Sequence, residues 1–215
     1  MRIGQLRITE GIAMVTRRQK WVLPAGIALV FLTAGISLLA APNPSQVAAG
    51  SPMPEFSLRD LYGNTQTLKD SLGRIIVIVF VSPDCPWSRG VDPALNQVVN
   101  EYAAKNVSVY CIDSSASTTV DSLMTYVLEN KLNAIYLKDE NNLYADIVGA
   151  RKTPEVFVLD TEHKLRYHGA FDNRWSPDTV GTTNYVRIAL DAILSGGPIA
   201  QPEVNAWGCG IKRKS

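Results

Sequence analysis

Ile75-Ile-Val-Ile-Val-Phe-Val-Ser-Pro-Asp-Cys85-Pro-Trp-Ser-Arg-Gly-Val-Asp-Pro93 joins an apolar run to a cysteine in a helix-start context. Seven consecutive apolar residues rich in Val and Ile suit a strand buried on both faces and are too few for a typical helix. Ser82-Pro83-Asp84 stops the strand, and Pro86 suits the first turn of a helix, where no intrahelical N–H is missed. Cys85 therefore falls where a central strand ends and a helix begins. The free amides and positive dipole end of such a helix favour a thiolate. A free thiol has a pKa of about 8.5, and such sites lower it to roughly 3.5–7.5. On the local pattern alone, Cys85 reads equally as a small buried apolar residue.

The flanking segments set the context. Of 21 basic residues, five lie in the first 20 positions, with only Glu10 against them. The remaining chain carries 16 Lys and Arg against 19 Asp and Glu, a net of −3, which gives no footprint for a nucleic-acid partner. Residues 21–41 carry no charge, and 21 residues at about 1.5 Å each span the roughly 30 Å hydrocarbon core. This segment reads as a transmembrane anchor with a cytoplasmic N-terminus, or as a signal peptide starting from Met14 and cleaved near Leu39-Ala-Ala-Pro42. Either places the domain outside the cytoplasm: periplasmic on a single-pass anchor, or secreted. Residues 42–54 are a Pro-, Ser-, Ala- and Gly-rich tether. The folded domain is expected over 55–196 and a polar tail over 197–215.

Outward from the central run, Phe56 to Leu68 reads as a hairpin turning at Gly63-Asn64, and Lys69 to Gly73 as a short helical turn. The Cys85 helix continues from Pro93 to Lys105 with Leu95, Val98, Val99 and Tyr102 inward. Val107–Ile112 reads as a second strand. Helix 120–130 has Leu123, Met124, Val127 and Leu128 inward. A short strand 134–137 and a short helix 143–148 follow, then a hairpin over 155–168 and a last helix over 182–195. Alternating strands and helices predict an α/β fold with a parallel core, and the 155–168 hairpin makes the sheet mixed. Three cysteines, none close together, give neither a disulfide scaffold nor a zinc set, so no metal or cofactor is expected. Cys111, in Val-Tyr-Cys-Ile-Asp, reads as core. His163 and His168 read as surface residues.

Three features together resemble the thioredoxin-like superfamily, in its redoxin or peroxiredoxin-like (AhpC/TSA-type) branch. They are Phe56-Ser-Leu-Arg-Asp with Gly63, the strand before Cys85-Pro86, and Thr153-Pro154-Glu-Val-Phe-Val-Leu-Asp160. The resemblance covers roughly residues 54–195, and Gly208-Cys-Gly-Ile-Lys212 is similar to the end of a peroxiredoxin-like subgroup. It implies that Pro154 is cis and lies against Cys85, presenting the Thr153 backbone to whatever binds there. It also implies a thiol chemistry for Cys85, with peroxide or a disulfide as substrate, an external thiol as reductant, and an antioxidant role. Departures are informative. Thioredoxins carry Cys-x-x-Cys, whereas here Ser88 replaces the second thiol and could donate to a Cys85 thiolate. Peroxiredoxins carry Pro-x-x-x-Thr-x-x-Cys. Here Ser82 fills the Thr position, Ile78 fills the Pro position, and Pro154 stands where a peroxide-polarising arginine would be. Arg89 and Arg151 are nearby in sequence and could substitute. Arg89 also fills the second position of a copper-type Cys-x-x-x-Cys, which disfavours copper. Trp87 reads as a surface platform, and Asp84 as a charge opposing a thiolate. Cys209, between glycines, reads either as a resolving partner for Cys85 or as a cysteine paired between chains; the Cα separation for a bridge must fall below about 7 Å. A non-enzymatic thioredoxin-fold binding module is the competing reading.

Overall fold

The computed structural model describes residues 47–214. The anchor or signal segment expected at 21–41 lies outside them. Among the described residues, no helix is long and apolar enough to cross a membrane.

The central strand is β3, Ile75–Val81, and every residue of it is buried. At about 1.5–3 kcal/mol per fully buried aliphatic side chain, its seven residues contribute on the order of 10–20 kcal/mol as an upper figure. Such burial needs cover on both faces. Val77, Val79 and Val81 pack into one cluster with Val91, Leu95, Val186, Ala189 and Leu190. Ile76, Ile78 and Phe80 pack into the other with Phe56, Tyr144, Ala145 and Val148. The split follows from strand geometry, since successive side chains point to opposite faces.

Around β3 the sheet is mixed, as the alternation of elements predicts. β1 (Ser57–Asp60) and β2 (Thr65–Thr67) form the expected hairpin, turning through Gly63 at φ +84°. The Asp60 carboxylate accepts the Tyr62 and Asn64 amides, each at 2.9 Å. Helix α1 (Pro86–Tyr102) leads from β3 to β4 (Val107–Asp113), and helix α2 (Val120–Glu129) leads to β5 (Ile135–Lys138). Helix α3 (Leu143–Val148) closes on Gly149 at φ +79°. Then come β6 (Lys152–Thr153), β7 (Glu155–Leu159), β8 (Leu165–Gly169) and helix α4 (Tyr185–Leu194), followed by β9 (Glu203–Val204) and β10 (Cys209–Gly210). The sheet order is β2-β1-β5-β4-β3-β7-β8-β9, with β6 and β10 as a separate pair. β3 runs parallel to β4 and antiparallel to β7.

Several expectations are corrected. Leu128 is exposed rather than inward, because α2 presents mainly Leu123 to the core. The last helix starts at Tyr185, not 182, because the Asn184 side chain caps it by accepting the Arg187 N–H at 3.0 Å. The tether is structured in its second half: Met53 is buried, and the Gly50 N–H donates to the Leu165 carbonyl at 2.8 Å. His163 is buried, with Nε2 3.1 Å from the Ser71 carbonyl, and His168 stacks on Phe157. Both imidazoles fill space between β7–β8 and their neighbours, so neither is a surface residue. The tail is not free: it adds β9 to the sheet edge beside β8, where a side chain on Gly169 would meet the Val204 carbonyl at 1.6 Å. Cys111 is fully buried, as expected.

Asp92, on the buried face of α1, receives the Tyr126 hydroxyl. Its burial pushes the carboxyl pKa up to about 6 despite that bond and the nearby Arg89 charge. Between pH 4 and 6 the folded chain therefore holds a proton that the unfolded chain releases, so this group's contribution falls as pH rises through that window. Asp92→Asn should gain about 2–3 kcal/mol over the parent at pH 8 and little at pH 4. Urea unfolding of the full chain in mild detergent at both pH values checks this; an equal difference at the two pH values would contradict it.

Candidate active site

The burial of β3 delivers Cys85 to the N-terminal end of α1. Cys85 is the N-cap residue, extended at φ −96° and ψ 115°, and Pro86 opens the helix. The Cys85 N–H donates to the Ser82 carbonyl at 3.0 Å, closing the turn between strand and helix. The Ser82 N–H donates to the Ser88 hydroxyl at 3.2 Å. Ser88 thus ties the strand end to the first helical turn, accepting there while its hydroxyl proton stays available to donate. No acidic residue lies in the first turn of α1, so nothing within it offsets the helix-terminal field. Asp84 is turned aside: its carboxylate accepts the Ser117 hydroxyl at 2.7 Å and lies 3.6 Å from Lys212 Nζ.

Opposite the cysteine stands the Thr153–Pro154 peptide, which is cis, as the resemblance implies. The Thr153 carbonyl oxygen lies 3.0 Å from Cys85 Sγ. In a reduced site that oxygen is placed to accept the S–H. The Thr153 segment also pairs with the tail. Cys209 sits across from Thr153 and Gly210 across from Lys152, antiparallel. This brings the Cys85 and Cys209 Cα atoms to 5.9 Å, and the two sulfurs form a disulfide spanning 124 residues of sequence. Of the two alternatives for Cys209, the bond within one chain is the one present. Gly208 makes the approach possible, because at φ +125° a Cβ would lie 2.1 Å from the Thr153 carbonyl oxygen.

The tail is fixed on both sides of Cys209. Before it, the Trp207 indole N–H donates to the Asp172 carbonyl at 2.8 Å, and the ring packs 5.0 Å from Trp87. Trp87 is therefore half-buried under the tail rather than an open platform. Behind Trp207 lies a buried ion pair, Arg174 with Asp172 at 2.7 Å. After Cys209, the Ile211 N–H donates to the Arg151 carbonyl at 3.0 Å, and the Lys212 carbonyl accepts the Ala116 N–H at 2.9 Å. Sequence reading missed these anchors. The one local signal was a cysteine flanked by glycines.

The loop carrying cis-Pro154 is held by Glu155, also not singled out from sequence. This nearly buried carboxylate accepts the Arg151 and Lys152 amides at 2.7 and 2.8 Å, and His168 Nε2 lies 2.7 Å away. Burial opposes its ionisation, but the His168 and backbone bonds outweigh that and hold its pKa below the usual range. A charged residue at the head of an otherwise apolar strand was the available clue.

Arg89 and Arg151 are both exposed, and among the described residues no guanidinium hydrogen-bonds either cysteine. A cavity of about 30 Å³ opens beside the disulfide, lined by Ser82, Asp84, Ser115 and Thr153. It has room for about one water-sized molecule. A larger groove of about 850 Å³ lies between the β1 hairpin and α3 and includes neither cysteine. Among the described residues no cluster of His, Cys, Asp and Glu is arranged for a metal ion.

A strand-end cysteine at a helix N-terminus, a facing cis-proline and a mixed sheet flanked by helices define a thioredoxin-like domain. The comparisons agree with that class. The AhpC/TSA family matches residues 49–168, more than half of the chain, and the chain belongs to that family. The thioredoxin-like protein YneN of Bacillus subtilis is 27% identical over 146 residues, 66% of this chain and 84% of that protein. The crystal structure of a hypothetical protein from Sinorhizobium meliloti 1021 is similar at TM-score 0.73 and 29% identity, covering 79% of this chain and 97% of the other. A Chlorobium tepidum protein described as a thiol:disulfide interchange protein DsbE shares the fold at TM-score 0.54 and 21% identity, over 57% of this chain and 85% of its own.

Gly208→Ala should unseat the tail from Thr153. After a stoichiometric oxidant is added to reduced protein, formation of the Cys85–Cys209 bond should slow by more than tenfold. An unchanged rate would show that the close approach is not required.

Proposed function

We propose that the protein is a two-cysteine thiol–disulfide oxidoreductase tethered outside the cytoplasm, with Cys85 as the attacking thiol and Cys209 as its resolving partner. The observation that carries this reading is the Cys85–Cys209 disulfide, formed at a helix N-terminus against a cis-proline. It supplies the second thiol that Ser88 does not, and it weighs against a purely non-enzymatic binding module.

In the reduced protein the Cys85 thiolate attacks one sulfur of a partner disulfide. A mixed disulfide forms on Cys85 and one partner thiolate leaves. The Cys209 thiolate then attacks Cys85 Sγ, forming the intramolecular disulfide and releasing the second partner thiolate. The partner gains two electrons and the protein loses them; an external thiol restores the dithiol. The amides at the start of α1 stabilise the Cys85 thiolate both as nucleophile and as leaving group. Thr153, Trp87 and Pro154 shape the surface on which the partner sulfur approaches.

A second reading is peroxide reduction. It is favoured by membership of the AhpC/TSA family and by the small cavity that Ser82 lines beside both sulfurs. There the Cys85 thiolate takes an oxygen from peroxide, giving a sulfenic acid and water or an alcohol. Cys209 then displaces water to form the same disulfide. Exchange is preferred because, among the described residues, no guanidinium hydrogen-bonds Cys85 where it could polarise a peroxide. The tether reading rests on the basic segment 1–20 followed by the uncharged apolar segment 21–41. The description of a fold neighbour as a thiol:disulfide interchange protein is consistent with an exchange role.

The test uses the reduced full-length chain in detergent. One equivalent of a peptide disulfide should lower the intact mass by two hydrogens and yield a Cys85–Cys209 peptide, faster than one equivalent of hydrogen peroxide does. Cys209→Ser should accumulate a mixed disulfide on Cys85, and Cys85→Ser should be inert. Faster oxidation by peroxide would move the assignment to the second reading. A Cys85→Ser protein that reacts as fast as the parent would sink both. For location, alkaline phosphatase fused after Ser215 should be active in cells and remain with membranes in carbonate; an inactive fusion would contradict the tether.

A further inference from the structure

We infer that Glu155 is a positioning residue of the Cys85–Cys209 pair: its carboxylate sets the Thr153 segment on which Cys209 docks. The inference rests on the exchange reading above. Three contacts carry it. Oε2 accepts two successive amides, Arg151 and Lys152, which fixes the backbone immediately before Thr153. Oε1 takes His168 Nε2, so the carboxylate is itself held from β8. The N–H of the same His168 donates to the Pro202 carbonyl at 2.9 Å, and His168 sits across from Glu203 in the ladder. One buried carboxylate thus joins the cis-proline loop to the strand where the tail first meets the sheet.

The geometry downstream is narrow. Thr153 must offer one face to Cys85 Sγ and its edge to Cys209, while Gly208 passes with no room for a side chain. A shift of the 151–153 backbone would move the docking strand for Cys209 relative to Cys85. Disulfide closure depends on how often two thiols meet in the right geometry. Glu155 touches neither sulfur and acts only through that backbone.

The test is the equilibrium of the full-length protein with glutathione. The reaction is balanced: the Cys85 and Cys209 thiols plus one glutathione disulfide give the Cys85–Cys209 disulfide plus two glutathione thiols. Glu155→Gln should lower the equilibrium constant for closure about tenfold, roughly 30 mV for this two-electron couple. Urea unfolding of both redox forms accompanies it. The oxidised form should lose more stability than the reduced form, by the same tenfold factor. If both forms lose stability equally and the equilibrium constant is unchanged, Glu155 is a structural residue only and the inference falls. Should Glu155→Gln fail to fold, Glu155→Asp, which keeps the charge but withdraws it by one methylene, reads the same constant with the same two outcomes. A parent protein that forms no Cys85–Cys209 bond at all would overturn the exchange reading and this inference together. An unchanged constant in a parent that does form it overturns this inference alone.

Discussion

Complete burial of β3 is the constraint on which the remaining structure depends. A strand with no exposed residue requires helices on both faces, and those helices require the two crossovers that bring β4 beside it and β5 beside β4. The end of that strand is then a fixed point. Cys85 emerges there at the start of α1, and β7, the antiparallel neighbour on the other side, brings the Thr153–Pro154 peptide to the same end. The reactive geometry is a by-product of where a fully apolar strand has to stop.

The tail adds what the sheet alone lacks. The usual second thiol of a Cys-x-x-Cys pair would sit one helical turn beyond the first, on the same rigid element. Here Ser88 holds that place and serves the turn instead. The partner thiol comes from the tail, on a two-residue strand that pairs with β6 rather than with the main sheet. Its position is therefore set by several separate anchors, Trp207 on one side and Ile211 and Lys212 on the other, and by the carboxylate of Glu155 beneath.

This difference explains what could be read from sequence. The elements of the main sheet up to β8 have period-two or period-3.6 patterns, or an unbroken apolar run, and they were legible down to Gly63 as the turn. The place of Cys85 at the strand-to-helix junction followed from the local pattern, and the cis character of Pro154 from resemblance. The tail strands are too short for any period, and they bury backbone hydrogen bonds more than side chains, so their composition reads as solvent-exposed. His168 and Glu155 are polar side chains whose burial is offset by specific partners, and a pattern of hydrophobicity cannot foresee such pairing. Leu128 shows the converse: an apolar residue at helical spacing that the core has no room to use.

The disulfide closes a loop over a sequence separation of 124, everything from the start of α1 to the tail. A link over that span removes on the order of 5 kcal/mol of chain entropy from the unfolded state. The bond that forms when the pair gives up two electrons is thus also a brace on the fold. Reduction of the bond converts a cross-linked domain into one held by its two apolar clusters alone. The covering of β3 on both faces is what allows the bond to be reduced without the domain being lost.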